Sequence, residues 1–518
     1  MPDVIVLNVH GGFPSAMVSR SLRELPGFAA LDAISEVHER VYPTNACAGP
    51  ALHDTIMDAP MGTMTDSVWH EWARTRSTSR SLFHIFQQNG YKTRLFGAFG
   101  LDPRLDPHAH MHVDPKLLAR ALETYGIDEC DGQDAAFTCQ LGFAYDREVL
   151  ARVEDYMRDP NRPRNTMTMI NLLGCQDAHK CTFHDVDPSR VSIPVMHFER
   201  DHRVYDERLF SENVVQDDPR HPDAASRGID ALRRSAQLKD WIRGVNSTDL
   251  RREELVRTVT GLHRFCWKCI EHIDEGLQRL IGALRETDRF DDAVIYVYSD
   301  HAVSLYEHGE LCEAPWESCI RSFLIRRAPT VQPRRLRAPL SLADITTMLL
   351  RDVDIHADWH VTPATDGCCV TLGLALSWLA RASMIPMTNA FDLRTFFVRA
   401  TLVHNDREYS VILWFSLRDM AKATKLNETD NLDDMARARL YQQTTRWTNP
   451  VFEVPLHQLA ALDAVQVYDH STDPSELCNL AGHDDWTRTE CARRLKMRVD
   501  SSIRHHRLDT FDLTVPEN

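Results

Sequence analysis

Several short stretches of this chain place potential ligands or acid–base groups close together. Cys175, His179, Cys181 and His184 form a C-x3-H-x-C-x2-H cluster just after an apolar run. Thiols and imidazoles at this density are the donors that hold zinc in a tetrahedron. The spacing is not that of a zinc-finger pair, however, and the competing reading is ordinary loop and core residues. Cys266, Cys269 and His272 step by three along a helical stretch. A redox C-x-x-C opens a helix after a strand, whereas this one sits mid-helix, so core packing is the expectation. A carboxylate and an imidazole stand together at Asp300-His301, where the apolar run Ala293–Tyr298 ends, and the run Val4–Val9 ends at His10-Gly11-Gly12.

The elements that must position these groups follow from periodicity. Short β-rich apolar runs alternate with amphipathic stretches, which predicts a mainly parallel sheet covered by helices on both faces. Val4–Val9, Lys92–Phe96, Thr166–Leu173 and Ala293–Tyr298 are the expected buried strands. Ser81–Asn89 and Arg251–Glu286 are expected helices, the first ending at Gly90. Residues 182–250 are polar, with scattered Pro, Asp and Arg, and read as a long surface excursion. After about 385 the texture changes. Phe396–Val403 and Tyr409–Phe415 flank a polar turn and read as an antiparallel hairpin, with helical stretches at 416–444 and 484–505. The expected division is a 1–385 α/β domain and a smaller 386–518 α+β subdomain.

Composition removes several function classes. The net charge is −16, from 59 basic and 75 acidic residues, which argues against a nucleic-acid binder. Arg334, Arg335 and Arg337 follow Pro333 in an expected loop and read as a solvated edge. No apolar run approaches the roughly 20 residues of a membrane span, and no secretory leader precedes the first strand. Thirteen cysteines without a repeating spacing then read as reduced thiols in an intracellular, cytoplasm-like compartment.

Four ordered stretches resemble the sulfatase family, within the alkaline-phosphatase-like superfamily. Asn89-Gly90-Tyr91-Lys92-Thr93 through Gly97 is similar to the second sulfatase signature. Asp300-His301, Glu307-His308-Gly309 and Trp316-Glu317…Arg321 follow the family's D-H/N-G, E-H-G and Y-E-x-x-x-R order, one residue short of the usual spacing. The helix at 273–287 resembles the family's helix before that strand. Residues 467–482, VYDHSTDPSELCNLAG, resemble its C-terminal L-Y-D…D-P-x-E…N-L-A motif. The resemblance implies the sulfatase α/β fold over nearly the whole chain.

It also implies a chemistry that can be checked residue by residue. A sulfatase uses a formylglycine made from Cys or Ser, a divalent cation held mainly by carboxylates, and Arg, Lys and His that neutralise sulfate. Here Cys47 falls on the nucleophile position, but Gly49 and Ala51 replace the Pro and Arg of the maturation signal, so no formylglycine is expected. His10 replaces the leading Asp after the first strand. Gly97 is followed by Ala98-Phe99-Gly100, without the family's Lys and His. Gln176 stands in the place of a substrate-facing His, and Glu310 and Glu313 stand where a Lys is usual. Asp300, His301 and His10 remain as candidate ligands for one calcium or zinc ion. Cys47 and His308 remain as candidate catalytic groups. The expectation is a sulfatase-like protein without sulfatase activity, acting as a scaffold or interaction subunit through protein partners or self-association. The alternative is a diverged metal-dependent hydrolase of phosphate or sulfate esters.

Overall fold

The computed structural model describes residues 1–46, 51–57, 80–97, 115–131, 142–175, 252–303, 314–359, 368–374, 394–416 and 465–480, apart from 11, 53–54, 358, 405, 475 and 477–478. Within them the strands are β1 Val4–Val9, β2 Glu36–Tyr42, β3 Lys92–Gly97, β4 Glu129–Asp131, β5 Thr166–Leu172, β6 Val294–Ser299, β7 Ser322–Arg327, β8 Arg334–Leu336 and β9 Leu340–Ser341. They form one nine-stranded sheet in the order β4-β3-β5-β1-β6-β7-β2-β8, with β9 also on β2. Only β7 pairs antiparallel to its neighbours among them. β10 Cys368–Leu374, β11 Arg394–His404, β12 Arg407–Ser416 and β13 Val465–Asp469 form a second, four-stranded antiparallel sheet in chain order.

Strand β1 shows why the large sheet is covered on both sides. All six of its residues are buried, and successive side chains of a strand point to opposite faces. Ile5, Leu7 and Val9 therefore join one apolar cluster, while Val4 and Val6 join another. The first cluster is closed by helices α1 Ser15–Glu24, α2 Pro26–Asp32, α5 Gly142–Arg158 and α6 Arg252–Glu286. The second is closed by α3 Leu82–Gln88, α4 Pro115–Tyr125 and α8 Asp344–Asp352. α3 shows how local sequence sets an element's ends. Ser81 caps its start by accepting from the His84 N–H, and Asn89 closes it just before Gly90, whose φ is +80°.

One expectation is corrected. Arg334 and Arg335 are not in a loop: they lie in β8, which pairs parallel to β2 at the sheet edge. Arg334 reaches Glu36, and Arg335 pairs with Asp32 and Glu39. The expected boundary near 385 falls after β10, whose residues pair with β11, so the small sheet draws one strand from the first expected unit. The hairpin itself is β11–β12, with Val403 opposite Glu408 and His404 opposite Arg407. The excursion at 182–250 and the helical stretches at 416–444 and 484–505 lie outside the described residues. No helix among the described residues is long and apolar enough to cross a membrane.

Candidate functional site

The three central strands β5, β1 and β6 run parallel, so the loops leaving their C-terminal ends emerge at the same edge of the sheet. Their register makes Val9, Leu172 and Ser299 level with one another. The next residues of β1 and β6 are therefore brought side by side: His10 from one, Asp300 and His301 from the other. In open α/β sheets this edge is where ligands bind.

The loops are pinned in place. The His10 N–H donates to the Leu172 carbonyl at 2.7 Å. Asp146, from α5, accepts from the N–H groups of Leu173 and Gly174 at 2.7 and 2.8 Å. Gly12 has a φ of +71°, and a Cβ there would lie 2.6 Å from the His301 carbonyl oxygen. Glycine is thus needed both for the left-handed backbone and for the contact between the two loops.

His10, Asp300 and His301 are 8, 0 and 6% exposed. His10 Nδ1 lies 2.7 Å from Asp300 Oδ2. His301 Nδ1 lies 2.6 Å from the Ala302 carbonyl oxygen. A carbonyl only accepts, so Nδ1 donates to it, which leaves Nε2 as the ring nitrogen turned toward Asp300. That Nε2 lies 3.7 Å from Asp300 Oδ1. The same Oδ1 is buried and accepts no hydrogen bond among the described residues. The orphaned oxygen and the ring nitrogen face each other across this gap, an arrangement that suits a shared cation. Asp300 Oδ1 and His301 Nε2 thus fit an ion. His10 sits where an outer partner orients a ligating carboxylate.

The remaining sequence-singled residues are placed differently. Cys47, His308, Gln176, His179, Cys181, His184, Glu310 and Glu313 lie outside the described residues. Ala51, at the family's arginine position, is fully buried in the second apolar cluster beside Leu52 and Ile56. Cys175 is buried against α6, its Sγ 3.7 Å from the Cys266 carbonyl oxygen, with Cys269 also at hand. Burial, reinforced by Cys266 and Cys269, pushes its thiol well above the usual range, so it stays protonated.

A second buried cluster was not found by sequence reasoning. Among the described residues, Glu317, His470 and Glu476 are the one set of three metal-type donors within sharing distance of one another. Glu317 belongs to α7, Glu317–Ile320. Arg399, on β11, already occupies the position of a cation here: Nη2 donates to Glu317 Oε2 at 2.7 Å and Nη1 to Glu476 Oε1 at 2.6 Å. The Tyr42 hydroxyl donates to Glu317 at 3.0 Å and the Ser410 hydroxyl to Glu476 at 2.6 Å. His470 Nε2 lies 3.0 Å from Glu476 Oε1. Burial alone would raise the Glu476 carboxyl, but Arg399, His470 and Ser410 outweigh it and hold the group well below the usual carboxylate range. The acceptors are saturated by donors, so this cluster fits a buried ionic tie better than a metal centre. Its sequence signal was Arg399 itself, one charge inside the apolar strand TFFVRATLV.

Solved structures similar to this chain share its fold at low identity. One is BT4656, in complex with its substrate D-glucosamine-2-N,6-O-disulfate. The match is 12% identical, covers 98% of each chain and has a TM-score of 0.58. A phosphonate monoester hydrolase from Silicibacter pomeroyi is 15% identical over 100% of this chain and 97% of that one, with a TM-score of 0.57. The phosphonate monoester hydrolase of Agrobacterium radiobacter is 14% identical over 97 and 96%, with a TM-score of 0.53. No curated protein matches the chain by sequence. The sulfatase sequence profile matches residues 57–355, more than half of the chain. On that match, and with this fold, the protein belongs to the sulfatase family.

Proposed function

We propose that this protein keeps a single-cation centre at Asp300 and His301, oriented by His10, that it does not turn over sulfate esters, and that it works as a scaffold or interaction subunit. The observation that carries the loss of sulfate chemistry is Ala51. Where the family places an arginine, this chain has a methyl group packed among Leu52 and Ile56. The absent Lys and His after Gly97, and Gln176 in place of His, act in the same direction. Removing one preorganised donor costs on the order of 100- to 1,000-fold in rate, so several losses together leave little turnover. A site can be lost in this way while its scaffold is retained.

Imidazole beside carboxylate suits zinc better than calcium, which prefers all-oxygen shells. A bound ion would supply Lewis acidity and a low-pKa water. That donor set favours a second reading, a metal-dependent hydrolase of phosphate or sulfate esters. Thirteen cysteines without a repeating spacing favour a reducing, intracellular setting.

The deciding experiment measures divalent metal per chain together with hydrolysis of 4-nitrophenyl sulfate and 4-nitrophenyl phosphate. Metal near one per chain without turnover is the expected result. Turnover that disappears in Asp300→Ala would overturn the scaffold reading in favour of the hydrolase. Mass spectrometry of the Cys47 peptide is expected to show an unmodified thiol; formylglycine there would restore the sulfatase.

A further inference from the structure

The hydrogen bond from His301 Nδ1 to the Ala302 carbonyl fixes the ring's orientation and turns Nε2 toward Asp300. Ala302 is itself held from two sides. It bridges to Phe13 in the loop after β1, and its N–H donates to the Cys319 carbonyl at 3.1 Å. Cys319 belongs to α7, a helix of one turn. A single turn lacks the internal hydrogen bonds to fix its own position. α7 is fixed from the other sheet instead. Glu476 Oε2 accepts from the Glu317 N–H at 2.7 Å and so caps the turn, and the Glu317 side chain is gripped by Arg399 and Tyr42. Arg399 is fully buried and is further anchored by the Pro315 carbonyl at 2.6 Å and the Thr401 hydroxyl at 3.2 Å.

From this chain of contacts we infer that Arg399 is a positioning residue for the cation centre. It acts through Glu317 and α7 to hold the backbone at Ala302, whose carbonyl in turn orients His301. The second sheet is then a working part of the centre, although none of its described residues is a proposed ligand. The inference rests on the reading of Asp300 and His301 as cation ligands. Outer groups that orient a metal-bound histidine typically carry a 10- to 100-fold effect on metal affinity.

The test uses the full chain, stripped with a chelator and titrated with cobalt(II). Visible d–d absorption reports the ligand geometry, and a competing chelator reports the affinity. Arg399→Lys keeps the charge but loses the two-pronged grip on Glu317 and Glu476. It is expected to bind cobalt about 10- to 100-fold more weakly and with a shifted band. Tyr42→Phe removes one hydrogen bond to Glu317 and is expected to weaken binding about threefold, with a smaller shift in the same direction. Arg335→Ala, at the far edge of the sheet, is expected to match the parent. If Arg399→Lys and Tyr42→Phe both fold and bind cobalt with the parent's affinity and spectrum, the positioning role is overturned. If Arg399→Lys does not fold, Tyr42→Phe alone decides on the same criterion. Asp300→Ala distinguishes loss of the centre from loss of the positioning role. Cobalt binding unchanged by Asp300→Ala would remove the centre itself, and the positioning role with it. Binding lost in Asp300→Ala but unmoved by Arg399→Lys and Tyr42→Phe removes the positioning role alone.

Discussion

A buried carboxylate oxygen without a partner costs on the order of 1–3 kcal/mol. Among the described residues Asp300 Oδ1 is such an atom, with His301 Nε2 3.7 Å away. The cost is relieved when a cation is present, so substitution should change sign with the metal. In chelator-treated protein, Asp300→Asn is expected to be more stable than the parent by about 1–3 kcal/mol, because a trapped charge is removed and an amide N–H can meet His301 Nε2. With zinc added, the parent should gain stability and the variant should not. Urea unfolding with and without zinc reads both arms, and a parent that zinc fails to stabilise would contradict the cation reading. Gly12→Ala is a second test at this scale. The left-handed φ and the contact with the His301 carbonyl both oppose a methyl group. A loss of about 1–3 kcal/mol is expected, with zinc affinity falling alongside it because the two loops are pressed together. A Gly12→Ala protein with unchanged urea midpoint and zinc affinity would show that this close approach is not needed.

At the scale of elements, the edge of the large sheet is held by charge as well as by apolar packing. Glu36 on β2 accepts from Arg326 on β7 at 2.7 Å and from Arg334 on β8 at 2.6 Å, with His38 also 3.0 Å away. Burial alone would raise this carboxyl. The three partners outweigh that and bring it from 4.5 down to about 2. A carboxyl with a depressed folded value stabilises the protein fully above its unfolded value, and the contribution is lost as pH falls through the folded one. The window is therefore about pH 4.5 to 2. Glu36→Gln is expected to be less stable than the parent at neutral pH, and to lose stability less steeply across that window. Parallel slopes for the two proteins in acid urea titrations would refute the assignment. These elements were readable from sequence to different degrees. β1, β3, β5, β6 and α6 were legible because a buried strand or a long helix writes its own periodicity. β8 was not: three polar-flanked residues carry no pattern, and their strand character comes from pairing with β2. Asp300-His301 and His10 were legible because each directly follows a legible strand. The Arg399 tie was not, since its partners Glu317 and Glu476 lie 82 and 77 residues away along the chain, with no local signal joining them.

At the scale of the whole molecule, the two sheets are joined by a mixed apolar and ionic seam. Tyr42, Trp316 and Ile320 pack with Phe397, Ile412 and Tyr468, around the Arg399 pairs with Glu317 and Glu476. The Trp316-Glu317…Arg321 and Asp473-Pro474…Glu476 motifs, which carried much of the family resemblance, supply part of that seam. Their residues meet across the sheets, and none of them is a proposed ligand. Cutting at 385, where the sequence texture changes, would separate Glu317 and Tyr42 from Arg399 and Glu476 and leave β10 without β11. Breaking a buried ion pair by removing one partner costs about 3–5 kcal/mol. That is a large part of the 5–15 kcal/mol by which a typical domain is stable, before the lost apolar contacts are counted. A 1–385 fragment is therefore expected to be unfolded or aggregated when expressed alone. The full chain should unfold in urea with its two sheets coupled, tryptophan fluorescence and far-ultraviolet circular dichroism changing together. A soluble 1–385 fragment with native-like circular dichroism and its own cooperative transition would show that the seam is dispensable, and that the large sheet carries its cation centre without help from the small one.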